Sequence, residues 1–410
     1  MAKKQSTIIN QNWDTIFNEY GDHYNLSNYA FPLYLFTTRL YDSLQQNGQH
    51  DVLFMAREGQ FLKKLFDQYV SMREKFGGKD SNSFPIKTHY FYGSRNSVMA
   101  ASMKSLDQEN FNFLFRSFGF MTTKSFLTSI GFNHEQIEQV TQAFGKKINK
   151  FHLNYRASRT FRQLKQLPIF REIYEANRQK QATALQAYLD SFGLNYQQNG
   201  LVFVDIGYHG TMQDLLYKFL DEKVTITGYY LKLRAKQTPN NWKYGLLSDK
   251  NNHNLFGNQI NQFDAYHYEQ ILRADHGRCL SYQIVDDQPK PVLDIAGDDA
   301  AVYMQHVKII QDQVMDKFKK IAEQALTAKQ DIAALCLVYY YYQIKRKSKT
   351  DYAWLLGMED NHLDEFGFVG YPGKIVGQGL RHFVGRVRDH MFISRQRHYI
   401  KKLRKELCEH

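Results

Sequence analysis

The chain has 410 residues, of which 43% are hydrophobic and 15% aromatic, so it can bury a large core and is not a disordered protein. Its net charge is +12, but residues 381–405 alone hold nine Lys or Arg and a single Asp, a net charge of +8. Because the basic charge is concentrated in this segment, the composition argues against a nucleic-acid-binding surface and for partners other than nucleic acid.

The cysteines and the apolar segments indicate in which cellular compartment the protein is expected. Cys279, Cys336 and Cys408 form no CxxC pair, which predicts neither a disulfide framework nor a zinc site. The first residues carry no apolar stretch typical of a signal peptide, and the longest apolar run, Ile332–Tyr342, is too short to span a bilayer. We therefore expect a cytoplasmic protein, with the basic segment 381–405 either contacting the inner face of an anionic membrane or packing as a terminal helix.

Hydrophobic periodicity predicts an alternation of strands and helices. Residues 1–50 have a helical pattern, and the apolar strand Asp51–Ala56 is followed by a glycine turn and another helix. A second strand is predicted at Lys87–Tyr92. Residues 97–196 are polar and aromatic with helical spacing, which predicts a helical insertion.

The second half of the chain repeats the strand–loop–helix arrangement. Strands are predicted at Leu201–Asp205 and Val224–Leu233, with a helix at Met212–Leu220 between them, and residues 238–265 are predicted as loops. The expected fold is α/β, with a parallel-sheet core over 1–96 and 197–296. The helical insertion at 97–196 and a helical C-terminal region at 297–410 complete it.

Two loops that follow predicted strands have the composition of anion-binding sites. In Ala56–Gln60, Gly59 allows a tight turn into a helix, and Arg57 can form a bidentate contact with a phosphate. In Asp205–Thr211, Gly207 and Gly210 flank a loop whose amides, with the Thr211 hydroxyl, can cradle a second phosphate. The alternatives are a plain turn with a surface Arg–Glu pair in the first loop and, in the second, an aspartate that caps the following helix.

Two further segments are weaker candidates. Tyr92-Gly-Ser-Arg95 follows the second predicted strand, so Ser94 and Arg95 could hold an anion or an acceptor sugar. Glu269, with His276 seven residues later, falls in a helical pattern and could equally be a solvated surface residue. Asp286-Asp287 is predicted to be a surface turn.

The two loops together resemble those of the type I phosphoribosyltransferases. Asp51–Gln60 is similar to that family's pyrophosphate loop, and Val202–Thr211 is similar to the loop that binds the 5-phosphate of phosphoribosyl pyrophosphate. Asp205 matches the second acid of the family's acidic pair, whereas Val204 occupies the position of the first. The resemblance implies a phosphoribosyltransferase-like core.

A narrower resemblance is to the phosphoribosyltransferases that install ribofuranose in bacterial surface polysaccharides such as capsule, O-antigen or cell-wall glycans. It rests on Phe54–Gly59, Tyr92–Arg95, Val204–Gln213 and the region around Glu269. It implies transfer of 5-phosphoribose from phosphoribosyl pyrophosphate to a glycan or lipid-linked oligosaccharide, with Mg²⁺ as cofactor. Such enzymes are often associated with a dehalogenase-type phosphatase, and since this chain lacks the DxDxT motif, a separate phosphatase is expected to remove the 5-phosphate.

The implied roles are as follows. Asp205 orients the ribose hydroxyls, while Glu58 is the first choice and Glu269 the second choice for general base. The residues expected to contact substrate are Arg57, Gly59, Gln60, Tyr92, Ser94, Arg95, Gly207, Tyr208, His209, Gly210, Thr211, Gln213 and His276. No metal ligand is assigned. The alternatives are a glycosyl- or alditol-phosphate transferase that uses a nucleotide-activated donor, and a non-catalytic module that binds membranes or polyanions.

Overall fold

A computed structural model describes the chain over residues 13, 15–16, 26–77, 83–117, 120–251, 265–294, 300, 303–333, 335–336 and 339. Five strands form a single all-parallel sheet in the order β2-β1-β3-β4-β5. The strands are β1 (Asp51–Met55), β2 (Lys87–Phe91), β3 (Leu201–Asp205), β4 (Ile226–Leu233) and β5 (Asn241–Asp249). The α/β class and the parallel sheet predicted from the sequence are therefore confirmed.

Burial on both faces explains why the central strands are apolar runs rather than alternating sequences. All five residues of β3 are buried, as are four of the five in β1. Leu53 of β1 is registered with Phe203 of β3, so the two strands end side by side. The loops that follow them consequently start from neighbouring points on one edge of the sheet.

Helices follow most of the strands. In chain order they are α1 (Ala30–Gln46), α2 (Gly59–Phe76), α3 (Arg95–Ser102), α4 (Asn112–Ser117), α5 (Thr123–Ser129), α6 (His134–Phe144), α7 (Arg159–Gln166), α8 (Pro168–Asp190), α9 (Tyr196–Asn199), α10 (Thr211–Phe219), α11 (Ala265–Ile271) and α12 (Lys308–Ala328). Shorter turns of 3₁₀ helix occur at Leu26–Tyr29 and Gly145–Asn149, and a π-helical turn at Tyr303–Val307 precedes α12. The helices α2, α3 and α10 begin within a few residues of the ends of β1, β2 and β3.

The apolar core is divided by the sheet and extended by the helical segment between β2 and β3. On one face α1, α2 and α12 pack together, with Tyr34 of α1 in edge contact with Phe318 of α12. On the other face α3, α8 and α10 cover the sheet. The described residues of 97–196 are largely helical, and Phe126, Phe161 and their neighbours form an apolar cluster of their own there.

The prediction that 238–265 consists of loops is wrong over Asn241–Asp249, which forms the edge strand β5, whereas residues 252–264 lie outside the described part of the chain. The polar residues of β5 are buried and bonded rather than solvated. Asn241 contacts the side chains of Gln213 and Asp214, and Lys243 pairs with Asp214. The alternation of polar and apolar residues in β5 therefore reflects contacts with α10 that the sequence alone does not reveal.

A two-stranded antiparallel hairpin, β6 (Cys279–Val285) and β7 (Gln288–Leu293), lies apart from the main sheet. The surface turn predicted at Asp286-Asp287 is confirmed, since both residues have positive φ, 51° and 57°, and connect the two strands. Asp tolerates this left-handed region better than most residues. The strands on either side of the turn were not predicted.

Much of the predicted helical C-terminal region, 297–410, lies outside the described residues, as does the basic segment 381–405 with its predicted membrane contact. Within the described part of 297–410, α12 packs against α1 and α2. None of the helices in the described residues is both long and apolar enough to cross a lipid bilayer.

Candidate active site

A cleft of about 450 Å³ opens at the carboxyl edge of the sheet. From β1 the chain moves to β2 on one side and then returns to β3 on the other, so the strand order reverses between β1 and β3. Parallel α/β sheets bind ligands at such a reversal, because the loops after the two strands diverge there. The predicted site residues that line the cleft are Arg57, Glu58, Ser94, Arg95, Asp205, Gly207, Tyr208, His209, Gly210, Thr211 and Glu269.

The loop after β1 forms the first wall. Arg57 and Glu58 line the cleft, and the Glu58 carboxylate accepts a hydrogen bond from the Arg57 amide at 3.2 Å. Gly59 begins α2 in close contact with β1: a Cβ there would lie 2.8 Å from the carbonyl carbon of Phe54. Only glycine therefore allows the chain to turn this closely into the helix.

The loop after β3 forms the opposite wall and depends on two glycines. Gly207 has φ +121°, and a Cβ there would meet the Lys232 carbonyl oxygen at 2.0 Å. Gly210 has φ +64° and is the N-cap of α10, so the cap offers no side chain to the first-turn amides. Since Thr211 and Met212 of that turn line the cleft, the helix start presents N–H groups to an anion.

Asp205 does not cap α10, which answers the alternative interpretation of this motif. Its side chain instead accepts a hydrogen bond from the Ile206 amide at 2.7 Å, and the residue is only 8% exposed. The carboxyl group is thus held at the tip of β3, at the base of the cleft.

The loop after β2 contributes a capped helix and a cation that lines the cleft. The Ser94 hydroxyl accepts a hydrogen bond from the Ser97 amide at 3.1 Å and donates one to the Cys279 carbonyl at 2.6 Å, so it serves mainly to cap α3 and anchor β6. Burial lowers the pKa of Arg95, and the carboxylates of Asp205 and Glu269 oppose that effect. Arg95 therefore acts as a cation facing the acids of the cleft.

Two carboxyl groups in the cleft have pKa values near neutral. Burial, followed by the negative charge of Glu58, raises the pKa of Asp205 to about 8, although Arg95 and the Ile206 amide favour its charged form. The same two causes raise the pKa of Glu269 to about 7. Groups poised this way can exchange protons at physiological pH, which is a property of catalytic acids and bases.

Arg278 is a cleft residue that the sequence analysis missed. It lines the cleft from the start of β6 and lies 3.4 Å from the Asp294 carboxylate. No sequence signal marked it, because the hairpin that positions it was not recognised. With Arg57 and Arg95, it brings three arginines to a cleft that also holds three carboxyl groups.

Gln60 and Gln213 were predicted to contact substrate, but the structure does not place them in the cleft lining. Gln60 bonds through its amide nitrogen to Asp275 at 2.8 Å. Gln213 is completely buried and links α10 to the sheet: it accepts from the Tyr230 hydroxyl at 2.7 Å and donates to Asn241 at 2.6 Å. The side-chain amide of Gln213 therefore connects α10 to the strands β4 and β5.

Tyr92 and His276 lie behind the loop that carries Arg57. Their rings are in contact, with centroids 4.9 Å apart, and the His276 Nε2 lies 2.7 Å from the hydroxyl of Tyr90. Neither residue lines the cleft, so neither is placed to contact a ligand there directly.

The chemistry of the acids in the cleft is compatible with a magnesium ion. The carboxylates of Glu58, Asp205 and Glu269 supply the hard oxygen ligands that Mg²⁺ prefers. Among the described residues, however, no group of three His, Cys, Asp or Glu side chains is arranged to hold a metal ion. A cation in this cleft would therefore draw further ligands from a bound phosphate compound and from water.

Comparison with known protein families and with curated proteins finds no match to this chain. The cleft combines an arginine on one wall, a helix start on the other and a buried acid between them. That arrangement can bind a small molecule with an anionic group at each end and stabilise positive charge at its middle.

Proposed function

We propose that this protein transfers 5-phosphoribose from phosphoribosyl pyrophosphate to a sugar hydroxyl of a bacterial surface glycan and releases pyrophosphate. The observation that carries the proposal is the convergence of the loops after β1 and β3 on one cleft, with Arg57 and Thr211 on its opposing walls and Asp205 between them. A pentose with a phosphate at one end and a pyrophosphate at the other matches that distribution of groups.

The first wall suits the pyrophosphate. The guanidinium of Arg57 can form two parallel hydrogen bonds with a phosphate, and the start of α2 adds the partial positive charge of a helix N-terminus. Arg95 and Arg278 border the same cleft and increase its attraction for a highly charged leaving group.

The second wall suits the 5-phosphate. Gly207 and Gly210 adopt backbone conformations that exclude side chains, so the loop amides and the first turn of α10 can approach a phosphate closely. Thr211 adds a hydroxyl donor beside those amides. A terminal phosphate bound here would place the ribose ring over Asp205.

Asp205 is the group best placed to act on the ring. Loss of pyrophosphate gives the ring oxocarbenium character, and a buried carboxylate beside it would stabilise the positive charge. The raised pKa of Asp205 describes the protein without ligand, and a cationic ring or a divalent ion nearby would favour ionisation of the acid.

The structure changes the preference for the general base. The sequence favoured Glu58, but Glu269 lines the same cleft and burial raises its pKa to about 7. A base with a pKa near the operating pH is the most effective at removing the proton of a sugar hydroxyl. We therefore assign the base role to Glu269 and a charge-tuning role to Glu58, whose negative charge raises the pKa of both neighbouring acids.

Mg²⁺ would be held by the cleft carboxylates together with the phosphates of the donor. When bound, it would neutralise negative charge on the pyrophosphate. The protein residues remain responsible for orienting the donor, holding the acceptor hydroxyl near Glu269 and excluding water from the ring.

Removal of the 5-phosphate is assigned to a separate dehalogenase-type phosphatase, because this chain lacks the DxDxT motif that such enzymes use. The basic segment 381–405 would favour a lipid-linked acceptor at the inner face of a membrane, where anionic lipids attract Lys and Arg.

The direct test is mass spectrometry of a synthetic glycan acceptor incubated with phosphoribosyl pyrophosphate and Mg²⁺. We expect a product heavier by one 5-phosphoribosyl unit, formed together with pyrophosphate. A product formed instead from a nucleotide-activated sugar or alditol, with none from phosphoribosyl pyrophosphate, would support the alternative transferase. Release of free phosphate from the ribosylated product by this protein alone would contradict the assignment of a separate phosphatase.

A further inference from the structure

Tyr90 and His276 form a hydrogen-bonded chain that ends on the loop carrying Arg57. The His276 Nδ1 lies 2.8 Å from the Gly277 carbonyl oxygen, and its Nε2 lies 2.7 Å from the Tyr90 hydroxyl. The Tyr90 hydroxyl lies in turn 3.3 Å from the carbonyl oxygen of Arg57. That carbonyl also accepts a bond from the Gln60 amide at 3.1 Å, so it belongs to the turn that starts α2.

The donors and acceptors in this chain allow only two arrangements of protons. A carbonyl oxygen only accepts, so Nδ1 of His276 must carry a proton. When the ring is neutral, Nε2 is an acceptor and takes the single hydroxyl proton of Tyr90. When the ring is protonated, Nε2–H donates to the Tyr90 oxygen, and the hydroxyl proton turns to the Arg57 carbonyl.

Tyr90 keeps its proton in both arrangements. Burial, followed by the negative charge of Glu58, raises the pKa of Tyr90 well above that of an ordinary tyrosine. The hydroxyl therefore cannot ionise over the range in which histidines titrate, and its proton is always available to one neighbour or the other.

We infer that Tyr90 and His276 are positioning residues for the Arg57 loop, and that protonation of His276 directs the Tyr90 hydroxyl to the Arg57 carbonyl and strengthens binding of a pyrophosphate group. This inference rests on the proposed function, because it assumes that the Arg57 loop binds the pyrophosphate of the donor. It differs from the sequence-based prediction that His276 contacts substrate directly.

Other charged and titratable groups lie near Tyr90 and His276. Their effects on the pH dependence of binding must be distinguished from the effect of the Tyr90 hydroxyl. Tyr92 contacts both rings from the end of β2, with ring centroids 4.8 Å from Tyr90 and 4.9 Å from His276. Asp275 precedes His276 and influences Tyr90, as do Glu58 and Arg57 from the β1 loop. These groups remain in a Tyr90→Phe variant, so comparing that variant with the wild type isolates the hydroxyl.

The experiment measures the affinity of the full-length protein for inorganic pyrophosphate by calorimetry between pH 5.5 and 8.5. We expect the wild type and Tyr90→Phe to bind equally at pH 8.5, where the Tyr90 proton points to His276. At pH 5.5 we expect the wild type to bind about fivefold more tightly than Tyr90→Phe. When both proteins also carry His276→Gln, the ratio of their affinities with and without the Tyr90 hydroxyl should not depend on pH.

Tyr174→Phe is the matched control, because the Tyr174 hydroxyl also bonds to a backbone carbonyl, that of Lys104, at 2.8 Å in the helical segment between β2 and β3. The ratio of the pyrophosphate affinity of Tyr174→Phe to that of the wild type should be the same at every pH. A purely structural role for Tyr90 would likewise give a constant ratio, and a constant wild-type to Tyr90→Phe ratio would overturn the inference.

Failure to bind pyrophosphate at any pH would instead refute the proposed function. The hydrogen bond between Tyr90 and His276 would then be tested in the protein without ligand. The ¹⁵N shifts of the His276 ring, assigned by their loss in His276→Gln, report its tautomer. We expect the Nδ1–H form at high pH, with an Nε2 shift that changes in Tyr90→Phe. The Nε2–H form, or an Nε2 shift unaffected by the substitution, would overturn the inference.

Discussion

Glu58 is the N-cap of α2 and Asp205 ends β3, and the negative charge of Glu58 is, after burial, the main cause that raises the pKa of Asp205 to about 8. The two acids lie far apart in sequence but belong to loops that follow adjacent parallel strands. This electrostatic coupling links the two walls of the cleft, because the ionisation of Asp205 depends on the charge of Glu58.

Replacing Asp205 by Asn should stabilise the protein at alkaline pH while abolishing transfer. A carboxyl group whose pKa is raised on folding stabilises the folded state fully below its unfolded pKa of about 4, and that contribution is lost as the pH rises through about 8. The amide escapes this loss, so the free energy of unfolding of Asp205→Asn should exceed that of the wild type by roughly 2–5 kcal/mol at pH 9. Thermal unfolding at pH 5 and pH 9 measures the difference.

Transfer activity gives the second half of that prediction. Without the charge that stabilises the ring, the rate of Asp205→Asn should fall by at least about 100-fold, equivalent to about 2.7 kcal/mol. Activity within about tenfold of the wild type, in a variant that unfolds cooperatively, would show that Asp205 does not act on the ring.

Substituting Glu269 by Gln should remove the general base. We expect kcat to fall by about 10²–10⁴-fold, and the rise in kcat/KM with pH near 7 to disappear, since the base must be deprotonated to act. Glu58→Gln is the comparison: it removes a charge that raises the pKa of Glu269, so the rise should persist but move to lower pH. If Glu58→Gln rather than Glu269→Gln abolishes the pH dependence, the original sequence-based preference for Glu58 is correct.

Gly210 and Gly48 provide a matched pair for the phosphate loop. Their φ angles are +64° and +63°, but a Cβ on Gly210 would meet the Tyr230 hydroxyl at 2.7 Å, whereas a Cβ on Gly48 would meet no atom of the described residues within 4 Å. Gly48→Ala should therefore destabilise by about 1 kcal/mol, the cost of a left-handed conformation alone. Gly210→Ala should lose about 1–3 kcal/mol more and weaken binding of ribose 5-phosphate, as urea unfolding and calorimetry can show. Equal losses of stability in the two variants would mean that the loop is not closely packed.

Gln213 should contribute to stability rather than to substrate binding. Gln213→Ala removes the partner of the buried Tyr230 hydroxyl and the donor to the Asn241 Oδ1, which should lower the free energy of unfolding by about 2–3 kcal/mol. Gln186→Ala, which removes a partly exposed bond to Tyr196, should lower it by less than about 1 kcal/mol. The affinity of folded Gln213→Ala for phosphoribosyl pyrophosphate should match the wild type, and a large loss of affinity would restore its predicted substrate role.

The sequence predicted the central part of this architecture because its strands are uninterrupted apolar runs. Leu201–Asp205 is a fully apolar run that ends in an acid, and the glycines at 207 and 210 marked the loop that follows it. The strand β5 could not be predicted in this way, because Asn241 and Lys243 are buried through bonds to α10 that are remote in sequence.

Site residues at or just after the ends of predicted strands could be identified from the sequence. Those positioned by other elements could not. Arg57 lies in the loop after β1, Asp205 ends β3 and Thr211 begins the helix that follows β3, so the parallel sheet brings them to one edge. Arg278 depends on a hairpin whose second strand contains two prolines, Pro289 and Pro291, which argue against a strand in sequence. The roles of Gln213 and His276 depend on partners in distant elements, and a pattern along the chain does not report those.

If one donor molecule bridges the Arg57 and Thr211 walls of the cleft, calorimetry with three ligands will detect contacts at both walls. Phosphoribosyl pyrophosphate with Mg²⁺ should bind the wild type, and both Arg57→Gln and Thr211→Ala should weaken it at least about fivefold. Pyrophosphate should respond only to Arg57→Gln and ribose 5-phosphate only to Thr211→Ala, while Lys64→Gln, which removes an exposed charge from α2, should change none of them. Absence of binding by phosphoribosyl pyrophosphate, or binding that neither cleft substitution alters, would show that no such donor bridges the two walls.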